Sequence, residues 1–307
     1  MTTYRLLLAG VALAILPGLV HARPQARTPE PAMPKPAASA TMPFPSLAPE
    51  HLRGFDVVEL RRYTVSPGQR ARFAAWFDAY FPEAFEQLGA MVFGQFLERD
   101  APDHFFWLRG YHDLLDRPVV NSAFYYGPLW REHRTKVNAI LPDSDNVLLM
   151  RAVPGHSIPV LPAVDPLDEA RGTHGTLVVQ LLPVYAGRTD AVVATVGEAD
   201  ARLPREGVLD AGLLQTLDVP NNFPQLPVRN DGSWVAWICM TRDAGALARV
   251  ESAMDAVERE LAAAGELRAG AERIVASPTP RSRLRWAGAE PETAAASAAV
   301  APDGLHR

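Results

Sequence analysis

A single cysteine, Cys239, among 307 residues leaves neither an intrachain disulfide nor a cysteine-rich zinc or iron-sulfur site within the chain. Lysine is almost as scarce, at Lys35 and Lys136, and the 30 cations are outnumbered by 35 anions with no long basic run. That excludes an extended electrostatic grip on nucleic acid. No phosphate-cradling glycine loop, dinucleotide fingerprint, nucleophile elbow or His-Glu-x-x-His spacing is present, which removes kinase, dehydrogenase, common hydrolase and zinc-protease readings. No motif specifies a cofactor or a metal. What remains is 48% hydrophobic and 21% charged, a proportion that can bury a core.

The one long apolar run, Leu6 to Val20, follows Arg5 and is too short to span a bilayer comfortably. Pro17 and Gly18 break it, and Val20-His21-Ala22 offers small residues where a signal peptidase reads. Residues 1–22 are therefore expected to be a signal peptide, the protein to be periplasmic or secreted, and no stable membrane insertion to remain after cleavage. An uncleaved anchor is the alternative. Residues 23–50 carry eight prolines among Ala, Thr and Ser and read as an extended linker. The Ala-rich stretch 287–307 reads as a disordered tail.

Between these ends the pattern strand, helix, strand, strand, helix, strand occurs twice, over 51–153 and 172–286. In the first half, strands are expected at Val57–Tyr63, Met91–Leu97, His104–Tyr111 and Asn146–Val153. A helix should open through a capping box, with Ser66 as cap and Gln69 completing it, and carry the stripe Phe73, Phe77, Tyr80, Phe81, Ala84 and Leu88, kinked or interrupted at Pro82. Asp113 is placed to cap a second helix, broken at Gly127-Pro128. In the second half, Val178-Val179-Gln180-Leu181-Leu182 overlies Val57-Val58-Glu59-Leu60-Arg61, and Gly187 answers Gly68. Each βαββαβ set builds a four-stranded antiparallel sheet with helices on one face. The expected fold is α+β, two ferredoxin-like units packed as an intramolecular dimeric α/β-barrel, with open strand edges that allow a homo-oligomer.

Alternation sets Glu59, Arg61 and Tyr63 on one face of the first strand and Val58 with Leu60 on the other. The apolar face is expected to meet the helices and the charged one to point into the barrel, where Glu59 and Arg61 are either polar ligand contacts or a structural ion pair. On the third strand Phe105, Trp107, Arg109 and Tyr111 share a face. Aromatics around one guanidinium can hold a flat anionic ligand, or simply stack on an arginine paired inside the barrel. His133 shares a helix face with Trp130, with Tyr126 a turn earlier. A histidine there can move a proton or ligate a haem, or lie on a partly solvated turn. The loop Val219 to Asp231 is long for a hairpin and is either a lid or an ordinary insertion.

The first half resembles the NIPSNAP family of the dimeric α/β-barrel superfamily. The likeness rests on Glu59-Leu60-Arg61-Arg62-Tyr63 leading to Pro67-Gly68, on Leu88-Gly89 to Gly94, on Leu108, Tyr111 and Leu114, and on Pro128-Leu129-Trp130. The second half looks like a diverged copy ending in Pro280-Arg281-Ser282-Arg283-Leu284-Arg285-Trp286. Arg109 stands where the family usually has tryptophan, and Asn121 where a helix arginine is common. The resemblance implies the barrel but little activity. Wider relatives include cofactor-free monooxygenases and haem-binding proteins. The expectation is an exported protein that binds a small apolar or aromatic ligand or a protein partner. Its candidate binding residues are Glu59, Arg61, Tyr63, Trp107, Tyr111, Tyr126 and Trp130. The alternative is a cofactor-independent monooxygenase, with His133 as base and Arg109 stabilising an anionic intermediate, or a haem-binding protein.

Overall fold

The computed structural model describes residues 54–164 and 174–286, so the expected signal segment, linker and tail lie outside the described residues. The element order is β1 (Val57–Thr64), α1 (Arg70–Gln87), β2 (Met91–Glu98), β3 (His104–Tyr111), α2 (Asp116–Tyr125), α3 (Pro128–Asn138) and β4 (Asp143–Ala152) in the first half. The second half holds β5 (Thr176–Val184), α4 (Thr189–Arg202), β6 (Val208–Thr216), β7 (Ser233–Thr241), α5 (Ala244–Ala263) and β8 (Glu272–Pro278). The eight strands close into one antiparallel barrel in the order β1-β3-β2-β8-β5-β7-β6-β4. Among the described residues no helix is long and apolar enough to cross a membrane.

The duplication is visible in the register. Each half has the spatial order fourth-first-third-second, and both seams join a second strand to the other half's fourth, β2 to β8 and β6 to β4. Glu59 faces Arg109 across β1 and β3, and Gln180 faces Trp237 across β5 and β7. Gly68 and Gly187 both take the left-handed conformation, at φ 74° and 78°, which glycine adopts without a Cβ clash. Register shifts fall at Val92/Gly94 in β2 and at Asp210/Gly212 in β6, the same place in each copy.

Closure removes the strand edges expected to pair with another copy. Among the described residues an oligomer would have to use another surface. The barrel interior is apolar: Val58 and Leu60 meet Leu108, Met150, Leu177, Val179, Ile238 and their neighbours from both halves. The expected orientation of β1 is therefore reversed, because Tyr63, Phe105, Trp107 and Tyr111 sit in the layer between sheet and helices. The physical reason is solvation. An interior walled by apolar residues from all eight strands offers a charge no partner, whereas the helix layer supplies arginines, amides and a path to water.

Two local expectations also change. The first helix starts at Arg70 with Gln69 as N-cap and no side-chain cap, since Gly68 holds the preceding residues in a turn closed by Gln69 N–H to Ser66 C=O at 2.9 Å. Pro82 does not interrupt α1. It withholds the N–H that the Asp78 carbonyl would have received one turn earlier, and Arg281 Nη1 donates to that carbonyl at 2.6 Å instead. Phe85 completes the buried stripe, while Tyr80 and Leu88 are exposed.

Candidate functional site

The outer face of β1 and β3 carries a charge cluster. Glu59 is fully buried and accepts from three guanidiniums: Arg61 Nη1 at 2.9 Å, Arg117 Nε at 2.6 Å, and Arg109 through Nε and Nη2. Burial alone would raise the Glu59 carboxyl, but Arg109, Arg61 and Arg117 together outweigh it and hold the group well below the usual carboxylate range. Three cations against one anion leave two positive charges, and among the described residues no second carboxylate pairs with any of these arginines.

Aromatic rings receive part of that charge. The Arg109 guanidinium lies 4.5 Å from the Phe85 ring centroid and 5.1 Å from that of Trp107, and Arg61 lies 5.5 Å from Trp107. Arg61 Nε donates to the Tyr63 hydroxyl at 2.8 Å. Tyr111 donates its hydroxyl to Asn121 Oδ1 at 3.1 Å, and burial pushes the phenols of Tyr63 and Tyr111 up, keeping both protonated.

Above this floor lies a cavity of about 480 Å³, a size that suits a small organic ligand. Arg61, Tyr63 and Trp107 form its sheet side. Phe77, Phe81, Phe85, Phe124, Tyr125 and Trp130 wall it from the helices, and exposed Arg134 and Asp145 stand at its mouth. Phe85 and Phe124 stack at 3.9 Å. The remaining wall comes from the other half: Phe223, Gln225, Leu226 and Pro227 of the β6–β7 loop lie across the opening. Arg117 Nη1 donates to Asn221 Oδ1 at 2.8 Å and Asn222 Oδ1 at 3.0 Å, while Asn222 Nδ2 donates to the Leu114 carbonyl at 2.7 Å. One arginine thus joins the loop to Glu59.

Of the residues singled out from sequence, Arg61, Tyr63, Trp107, Tyr126 and Trp130 line the cavity, with Tyr126 exposed at its rim. Glu59, Arg109 and Tyr111 stand behind that lining, in the buried cluster. His133 is not brought to the cavity. It is buried on the flank of α3 that meets α1, 5.0 Å from the Trp76 ring and 4.4 Å from that of Tyr80. Sequence reasoning missed Arg117, Phe85 and the loop asparagines. Arg117 had one available signal: it lies one turn before Asn121, on the same helix face.

The second half has no such layer. Leu182, Val184 and Trp237 occupy the positions of Arg61, Tyr63 and Arg109, and they pack with Val192, Val196 and Val250. His156, Asp200 and Asp210 do bring ligand atoms within 4.8 Å of one another, a grouping from three separate segments that spacing could not reveal. Asp200 is already engaged by Arg205 at 2.5 Å and by Trp237 Nε1 at 3.0 Å.

No family model matches the chain, and no curated protein matches it. Among solved structures it is similar to an anthrone oxidase-like protein, at 13% identity over 73% of this chain and 91% of that one, with a TM-score of 0.48. A provisionally named monooxygenase from Lactobacillus acidophilus NCFM matches at 9% identity over 73% and 93%, TM-score 0.46. A single-residue variant of chlorite dismutase from Candidatus Nitrospira defluvii matches at 14% identity over 74% and 92%, TM-score 0.41.

Proposed function

We propose that this chain is an exported, NIPSNAP-like binding protein, periplasmic or secreted, whose first half takes up one small aromatic molecule between sheet and helices. The observation that carries the reading is the aromatic-walled cavity of about 480 Å³, floored by Arg61 and Tyr63 and covered by a loop of the other half. A packed core has no use for a hollow of that size, because unfilled space lined by Phe and Trp forfeits contact energy. The oxygenase reading keeps the same cavity but asks for a base on it. His133 packs against Trp76 and Tyr80 instead, so binding without turnover is the reading the geometry supports better.

Native mass spectrometry of the full chain purified from its own host tests the proposal. A co-purifying small molecule at one per chain is expected, lost when Phe124→Trp fills the cavity. A protein that carries nothing, and that binds no member of an aromatic library, contradicts it.

A further inference from the structure

Four buried nitrogen atoms of the cluster make no hydrogen bond among the described residues: Trp107 Nε1, Arg109 Nη1, Arg117 Nη2 and Asn121 Nδ2. Every one is a donor. Arg61 spends Nε on Tyr63 and Nη1 on Glu59, and its Nη2 is engaged by no residue described. Such a surplus is unusual in a buried layer, where each orphaned polar group has given up water without a replacement partner. The surplus has one sign in two senses, since donors outnumber acceptors and three guanidinium charges face the single carboxylate of Glu59. Arg61 and Trp107 belong to both the cluster and the cavity wall, so this is where the deficit meets the space.

We infer that the ligand is an aromatic acid, its anionic group received beside Arg61 and Trp107 and its rings held among Phe77, Phe81, Phe124 and Trp130. The inference rests on the proposed reading of the cavity as a ligand site. Glu59 then has a defined part. It neutralises one of three positive charges and orients the guanidiniums, leaving Arg61 at the cavity wall with a net positive charge behind it. A neutral aromatic would fill the walls yet leave the donors as they are.

The probes are 2-naphthoate and 2-naphthamide, which share a bicyclic body and differ in charge, titrated against the full chain at neutral pH by calorimetry. The naphthoate is expected to bind at least about tenfold tighter, the ratio one charge-assisted hydrogen bond supplies. Arg61→Met should bring the two probes to about the same affinity, and Arg61→Lys, which keeps the charge, should preserve most of the preference. Equal binding of both probes by the unaltered protein overturns the acid inference and leaves the cavity reading standing. Binding of neither overturns both. Should Arg61→Met not fold, the comparison of probes on the unaltered protein and on Arg61→Lys still decides.

Discussion

The two halves share a register but not a layer. Where the first half has Glu59, Arg61 and Arg109, the second has Gln180, Leu182 and Trp237, and the space between sheet and helices is filled by valines, leucines and Met254. The barrel-facing residues are apolar in both, Val58 and Leu60 answering Val179 and Leu181. Closing the barrel constrains the inner face of both copies equally, since each must bury it against the other. The outer layer is under no such joint constraint, so one copy can be hollow and charged while the other is packed and supplies a covering loop.

The sharpest way to break this comparison is Glu59→Gln, which gives the first half the residue that the second already has. Three buried guanidiniums would lose their only anion, at an expected cost of about 3–5 kcal/mol in urea unfolding. A loss below about 1 kcal/mol would mean that the cluster is solvated and the account of it wrong. The pH dependence has a definite sign. Because folding depresses the Glu59 carboxyl, its contribution is full above the ordinary value near 4.5 and is lost as pH falls well below it. Glu59→Gln should abolish that acid-side slope.

The reciprocal test in the packed half is milder. Trp237→Phe removes the hydrogen bond to Asp200 and some volume, an expected cost of about 1–3 kcal/mol by the same unfolding measurement. Asn221→Ala, which frees one of the loop's ties to Arg117, should cost about 1 kcal/mol or less and speed amide exchange over 219–231 without changing it in β5 or β7. Unchanged exchange there would show that Asn222, with Phe223 and Leu226, holds the loop without Asn221.

The smallest effect is at the junction of the halves. Asp78 is buried on α1, where its Oδ1 accepts from Gln95 and from Thr279, and burial raises its carboxyl despite those bonds. A raised folded value means that ionisation at neutral pH opposes folding. Asp78→Asn keeps the acceptor and should raise Tm modestly at pH 7. That advantage should vanish as pH falls below the ordinary value of 3.8.

Much of the fold was legible in the sequence because it follows from period and punctuation. Val57–Tyr63 alternates, Phe73, Phe77 and Phe81 recur at helical spacing, and Gly187 repeats Gly68, so two βαββαβ sets packed as one barrel could be read directly, whereas the strand edges expected to stay open are closed by the β2–β8 and β4–β6 seams. The direction of β1's charged face could not. Alternation says which residues share a face but not which face is wet, and that depended on Arg117 lying 58 residues away in α2. Helical spacing groups Trp130 and Tyr126 with His133, and the first two do line the cavity. His133 failed to join them because three residues on a helix is about 60° short of a full turn, enough to turn its ring toward Trp76. The loop asparagines were beyond reach, since they act across the boundary between the halves.

The central claim, that the ligand cavity lies between sheet and helices in the first half and that the matching layer of the second half is packed, is tested most directly by ¹⁹F NMR of the 5-fluorotryptophan-labelled full chain titrated with 2-naphthoate. The account predicts that the resonances of Trp107 and Trp130 shift and saturate together at one ligand per chain, while those of Trp234 and Trp237 stay in place. Movement of Trp237 with Trp107 and Trp130 unmoved would contradict it.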